Sequence, residues 1–120
     1  ETAGAHRRWE ARADGMGHCV VRRDGAALAP IDDVATPMAL DDLDGDGTPE
    51  LITASASAPD APDRVRVFAL GDAASPRGDT AVPGPIEAVA AGDLDGDGRR
   101  ELVVSVRDPA RHTSTLWIIP

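Results

Sequence analysis

The hexapeptide Asp42-Leu43-Asp44-Gly45-Asp46-Gly47 recurs as Asp93-Leu94-Asp95-Gly96-Asp97-Gly98, 51 positions further on. The register holds beyond it without a gap. Glu50-Leu51-Ile52 falls on Glu101-Leu102-Val103, Met38-Ala39 on Val89-Ala90, and Val67-Phe68 on Ile118-Ile119. Self-similarity at a fixed period constrains a fold more than any local propensity. One unit spans about residues 36–70 and its copy about 87–120, within a single all-β domain of 120 residues.

Each unit reads as strand, acidic turn, strand, loop, strand. The first copy places strands near Thr36–Leu40, Glu50–Ser55 and Arg64–Leu70; the second near Ile86–Ala91, Glu101–Arg107 and Thr115–Pro120. These segments are short, rich in β-branched residues and bounded by Gly, Pro and Asp. None repeats at the helical period. Both faces of Leu102-Val103-Val104-Ser105-Val106 are mostly apolar, which predicts a strand covered on both sides. Arg64-Val65-Arg66-Val67 alternates, as a half-exposed or edge strand does. Ala56–Asp63 and Arg107–Ser114 read as equivalent loops, and Gly71–Pro85 as a longer connector. Upstream, residues of about 7–30 form a partial blade, with Trp9–Ala13 pairing Gly17–Arg22 across the turn signal Asp14-Gly15. Glu1–His6 is expected to fray.

Arginine supplies all 12 basic charges against 21 acidic ones, a net charge of −9. That excludes a nucleic-acid binder, which needs a basic surface, and a polybasic membrane-surface protein. No apolar run approaches the roughly 18 residues of a membrane-spanning helix, and Glu1–Glu10 does not read as a signal peptide. Large side chains are few: the aromatics are Trp9, Phe68 and Trp117, and Gly and Pro are abundant. The core is therefore modest, and stability is expected to draw on a metal, a partner or both. Cys19 is the single cysteine, so an intrachain disulfide and a thiolate zinc cluster are excluded. It reads as a small buried residue on a strand.

The acidic loops carry the chemistry. Four carboxylates within nine residues repel one another and oppose a compact state unless neutralised. A hard cation with oxygen ligands relieves this. Calcium takes six to eight oxygens, and a loop with side chains at positions 1, 3 and 5 and a carbonyl at 7 wraps such an ion. In the first loop these are Asp42, Asp44, Asp46 and the carbonyl of Thr48, closed by Glu50 at position 9. In the second they are Asp93, Asp95, Asp97, the carbonyl of Arg99, and Glu101. Gly47 and Gly98 sit where the chain turns sharply, and Gly45 and Gly96 add freedom at position 4. An EF-hand is ruled out, since its position 12 needs an acid and here holds Thr53 or Val104 within a strand. Neutralising the eight motif carboxylates would leave a net charge of −1, so the acidity of the chain resides in these loops.

The pattern Asp-Leu-Asp-Gly-Asp-Gly-x-x-Glu-Leu-(Ile/Val) resembles the calcium loop of FG-GAP/VCBS repeats, the blades of integrin-α-like β-propellers. Glu stands at position 9 where Asp is more usual, and the Phe-Gly and Gly-Ala-Pro signatures are absent. The resemblance implies four-stranded antiparallel blades, with calcium in the hairpin loop between the first two strands. It also implies a secreted or cell-surface setting and a role in adhesion, lectin-like binding, or as a module attached to an enzyme. Two blades and a partial third do not make a complete propeller, which needs about four to eight.

Other chemistry is sparse. His6, His18 and His112 lack zinc-pair spacing. Ser55, Ser57, Ser105 and Ser114 lack a nucleophile-elbow context. Arg22-Arg23 and Arg99-Arg100 read as solvated pairs beside acidic loops, and Trp9 and Trp117 are the two candidate sugar platforms. The expectation is a non-enzymatic module holding two calcium ions and presenting loops to a protein or carbohydrate ligand. Its open edges are to be covered by its own copies, by a partner chain, by further sequence of a larger secreted protein or enzyme, or by its own N-terminal hairpin.

Overall fold

A computed structural model describes residues 8–55, 61–71 and 73–119. Eleven strands and no helix occur among them: β1 (Trp9–Ala13), β2 (His18–Arg23), β3 (Ala26–Ala27), β4 (Ile31–Asp32), β5 (Ala35–Asp41), β6 (Glu50–Ala54), β7 (Asp63–Ala69), β8 (Ser75–Val82), β9 (Ile86–Gly92), β10 (Glu101–Asp108) and β11 (Thr113–Ile119). Among the described residues no helix is long and apolar enough to cross a membrane. The strands form three antiparallel sheets: β1-β2-β3 with β4 also on β2, β5-β6-β7-β8, and β9-β10-β11. No sheet closes on itself, and the set is not a complete propeller.

Turn chemistry sets the N-terminal sheet. Asp24 and Gly25 both take positive φ, 52° and 87°, so the chain reverses tightly from β2 into β3. In the β1–β2 turn Asp14 Oδ1 accepts the N–H groups of Met16 and His18, at 2.7 and 3.1 Å. Trp9 then pairs opposite Arg23 and Ala13 opposite Cys19. The expected fraying of Glu1–His6 and residues 56–60 of the expected loop lie outside the described residues.

The middle sheet is the wall on which the other two pack, because successive side chains of a strand point to opposite faces. Leu51 of β6 joins Cys19, Val21, Ile31, Val34, Phe68 and Leu70 in a core against the N-terminal sheet. Its neighbour Ile52 joins Ala54, Val65, Val67, Val82, Ile86, Leu102, Val104 and Val106 in a second core against the third sheet. All five residues of β6 are buried. Cys19 is fully buried, as its sequence context predicts, and burial raises its thiol pKa. Gly84, in the connection from β8 to β9, lies against the backbone of β10: a Cβ there would meet the Arg107 carbonyl oxygen at 2.1 Å.

Three expectations need correction. The segment Gly71–Pro85 is not a plain connector; it contains β8, the fourth strand of the middle sheet, in register from Asp63↔Val82 to Ala69↔Ser75. Consequently β7 is an interior strand, so of the two readings of its alternation the edge strand fails and the half-exposed strand holds, with Arg64 exposed and Arg66 half-buried. Strand β10 is covered on one face only. Leu102, Val104 and Val106 are buried, whereas Val103 and Ser105 are half-buried and the adjoining Leu116 and Ile118 of β11 are 69% and 60% exposed.

Leu51 is 0% exposed, so Leu51→Ala should cost about 2–5 kcal/mol by transfer and cavity terms. Leu116→Ala should stay within about 0.5 kcal/mol, as exposed positions do. Chemical denaturation of the two variants checks the ranking.

Candidate metal centres

Each acidic loop joins the first two strands of its sheet, β5 to β6 and β9 to β10. The loops turn because their first Asp collects backbone donors. Asp42 Oδ1 accepts the N–H groups of Gly45 at 2.9 Å and Asp46 at 3.2 Å, while Oδ2 accepts that of Gly47 at 2.8 Å. Asp93 does the same with Gly96, Asp97 and Gly98, at 2.8, 3.2 and 2.9 Å. The next two acids each hold the N–H two residues on. Asp46 N–H donates to Asp44 Oδ1 and Thr48 N–H to Asp46 Oδ1, at 3.1 and 2.8 Å. Asp97 N–H donates to Asp95 and Arg99 N–H to Asp97 at the same distances. Gly45, Gly47, Gly96 and Gly98 all sit at φ between 77° and 89°, a region that L side chains rarely adopt. The glycines at positions 4 and 6 are thus required by the backbone.

Glu50 closes the first loop from below. It is 3% exposed, and its Oε1 accepts the Leu43 N–H at 2.7 Å. Glu101, 8% exposed, takes the Leu94 N–H at 3.0 Å. The outcome is two clusters, Asp42/Asp44/Asp46/Glu50 and Asp93/Asp95/Asp97/Glu101. In each, one carboxylate oxygen per residue lies within 4.8 Å of the others. Oxygens bound at about 2.3–2.6 Å to one ion can be at most about 5.2 Å apart, so either set fits around a single calcium-sized ion. All donors are hard oxygens, the chemistry that suits a hard divalent cation such as calcium, magnesium or manganese rather than a soft metal.

The electrostatics within a loop are divided. The Gly47 N–H, with those of Gly45 and Asp46, holds the Asp42 carboxyl below its ordinary pKa, and the Gly98 N–H leads the same effect on Asp93. Burial pushes Glu50 up, and the charges of Asp44, Asp46 and Asp42 push it further. For Asp95 the Asp97 N–H lowers the pKa, but the hydrogen bond with the Asp97 side chain, desolvation and neighbouring charge outweigh it and raise the net value.

Residues 42–104 match the FG-GAP-like repeat family, more than half of the chain, and the match begins at the first Asp of the first loop. The chain belongs to the FG-GAP-like repeat family. No curated protein and no solved structure matches it. The FG-GAP-like match takes in both acidic loops and all of the middle sheet's β6, β7 and β8.

Around these FG-GAP-like loops the remaining candidates are scattered. Thr48 is half-buried and Arg99 exposed, each at the turn position whose N–H is held by the preceding acid. Trp9 packs on the N-terminal core with Arg23 over its ring at 5.9 Å, while Trp117 lies on the third sheet, so the two share no face. His18 Nδ1 meets Asp14 Oδ2 at 3.0 Å on the surface. Two cations beside the loops make contacts that the sequence pattern does not show. Arg77 Nη2 lies 3.7 Å from Asp44 Oδ2, and Arg100 Nη1 lies 3.3 Å from Asp41 Oδ2. Arg77 was hidden because β8 was; Arg100 was read as solvated but joins the third sheet to the middle one.

A raised carboxyl pKa stabilises the fold below the unfolded value, about 4.3 for Glu, and that contribution is lost as pH rises through the folded value. Ionised Glu50 therefore costs the metal-free protein stability at neutral pH. Glu50→Gln, melted in chelator, should have the higher Tm at pH 7 and no advantage near pH 4. The depressed Asp42 and Asp93 act oppositely: their contribution is present above about pH 4 and is lost on further acidification.

Proposed function

We propose that the chain is a non-enzymatic, calcium-stabilised β-repeat module that acts outside the cell in recognition of a protein or carbohydrate. The observation that carries this reading is the duplicated four-carboxylate cluster, each gathered within 4.8 Å at one end of its sheet. Asp42, Asp44, Asp46 and Glu50 hold the first ion with the Thr48 carbonyl; Asp93, Asp95, Asp97 and Glu101 hold the second with the Arg99 carbonyl. The ion supplies neutralising charge, which offsets the repulsion within the loop and the burial of Glu50. The chain supplies the geometry, since the backbone N–H groups on Asp42 and Asp93 shape each loop around its acids. Carboxylates engaged as ligands are ionised and are not free as general acids, which favours a structural over a catalytic role. FG-GAP-like repeats occur typically in extracellular proteins, where a calcium affinity in the range of about 0.1–1 mM suffices.

An ion that binds the folded state alone stabilises it by about 2.7 kcal/mol per site at a concentration 100 times its dissociation constant. Scanning calorimetry in calcium against chelator should show a rise of several degrees. Asp97→Ala should lose roughly half of it. An unchanged Tm in calcium would falsify the reading. A glycan array run with and without calcium then tests the carbohydrate arm.

A second reading, a blade set within a larger secreted protein or a multi-chain assembly, is favoured by the outer face of the third sheet. Val103, Ser105, Leu116 and Ile118 stand one repeat beyond Ile52, Ala54, Val65 and Val67. The earlier set is buried by Ile86, Leu102, Val104 and Val106 of the next sheet. The later set invites the same covering by a further sheet with an aliphatic face. At the opposite end of the stack, alternation puts Glu10, Arg12, His18, Val20 and Arg22 on the face away from the core, a cap that is polar apart from Val20. Exposed apolar faces associate, so sedimentation should show concentration-dependent self-association that Leu116→Asp with Ile118→Asp abolishes. A wild-type chain that stays monomeric at high concentration speaks for a face that needs no cover.

A further inference from the structure

The two loops match bond for bond internally but differ in what surrounds them. Arg77 projects from β8 to Asp44 of the first loop, Nη2 to Oδ2 at 3.7 Å. The pair is half-exposed, at 54% and 38%. Beside it, Arg64 Nε holds Asp79 Oδ1 at 2.6 Å and Arg66 Nε lies 4.0 Å from Asp79 Oδ2, so Asp79 is already occupied and leaves Asp44 as the partner of Arg77. Arg77, Asp44, Glu50 and Arg100 line one recess of about 300 Å³ between the middle and third sheets. The third sheet has no strand in the place of β8 among the described residues. Among the described residues no guanidinium forms an ion pair with Asp93, Asp95, Asp97 or Glu101, although Arg99 and Arg100 line a recess with the last three and Arg100 pairs with Asp41.

We propose that Arg77 is a built-in competitor at the first loop: its guanidinium neutralises Asp44 when no ion is bound, so this loop takes up a divalent cation more weakly than its carboxylate set allows, a restraint that removal of Arg77 lifts at the first loop and not at the second. The inference rests on the reading of both loops as calcium sites. Its physical basis is simple. A cation entering the first loop must either displace Arg77 from Asp44 or bind beside a second positive charge, and both outcomes lower affinity. The second loop has Arg99 and Arg100 where the first has Thr48 and Pro49, and both line a recess with Asp95, Asp97 and Glu101, but neither forms an ion pair with those acids among the described residues. Surface pairs are weak and screened by salt, which bounds the effect to about a two- to fivefold change in affinity.

Single-site backgrounds isolate each loop: Asp97→Ala leaves the first, and Asp46→Ala leaves the second. Calcium titration calorimetry on each, at low and at 0.5 M salt (roughly 4 Å of screening length), gives the readout, with circular dichroism confirming that each variant is folded. In the Asp97→Ala background, Arg77→Ala should tighten calcium binding about two- to fivefold at low salt, Arg77→Gln should do the same, and Arg77→Lys should leave it near the parent value. The gain should shrink at high salt. In the Asp46→Ala background none of these changes should matter. Unchanged or weakened binding at the first loop after Arg77→Ala overturns the inference and leaves the calcium reading intact. Failure of both folded single-site backgrounds to take up calcium overturns the calcium reading itself, and the inference with it.

Discussion

Asp42 and Asp93 each accept three backbone N–H groups, and the local structure of each repeat depends on those bonds. They convert an acidic stretch that would repel itself into a defined turn. They also bring position 9 back under the loop, where Glu50 pairs with Asp41 and Glu101 with Gly92 as the first rungs of the strand ladders. A loop shaped this way fixes register, because a slip of one residue would move every side chain of β6 or β10 to the opposite face. The same bonds leave a conflict. They stabilise the ionised first Asp, while the remaining acids crowd one another and raise Glu50. That unresolved charge is the strongest physical reason for the loop to accept a cation.

Register in turn decides how the sheets stack. Strand β6 sends Leu51 to one core and Ile52 to the other, so a single strand serves two interfaces. Translation by one repeat carries Leu51 to Leu102 and Ile52 to Val103, and the interface with it. Repeat arrays of this kind gain stability from neighbours and need their end faces made soluble. The N-terminal end meets that need with charged side chains of β1 and β2. On the third sheet, Glu87 is held by the hydroxyls of Ser105 and Ser114, at 3.2 and 2.6 Å, but Leu116 and Ile118 beside them remain exposed.

Much of this was legible in the sequence. The repeat offset located both loops, the alternation and β-branched runs located β5, β6, β7, β9, β10 and β11, and Asp14-Gly15 located the first hairpin. Strand β8 was not legible, because Ser75-Pro76-Arg77-Gly78-Asp79-Thr80 carries residues of low strand propensity. It exists because β7 offers it a ladder. Its Pro76 sits next to a register shift on an edge strand, where a missing N–H is tolerated. The single-sided cover of β10 was also hidden. Its composition describes a strand buried on both faces, and composition cannot tell which neighbour supplies the second cover. Arg77 fell out of the site for the same reason as β8: a residue assigned to a connector has no face, and so no partner.

The division of labour between loops and faces follows from where each lies. The carboxylate clusters occupy the hairpin ends, while the aliphatic contacts lie on the sheet faces, so charge neutralisation and stacking act on different parts of the same strands. They meet at Arg100, which follows the second loop in sequence and reaches Asp41 beside the first. The segment that carries Arg100 runs directly out of the second loop into β10. Whatever orders that segment also orders the bridge between sheets. In a chain with three aromatic residues and a core of small aliphatics, a contact of that kind joins loop order to sheet stacking without requiring a larger core.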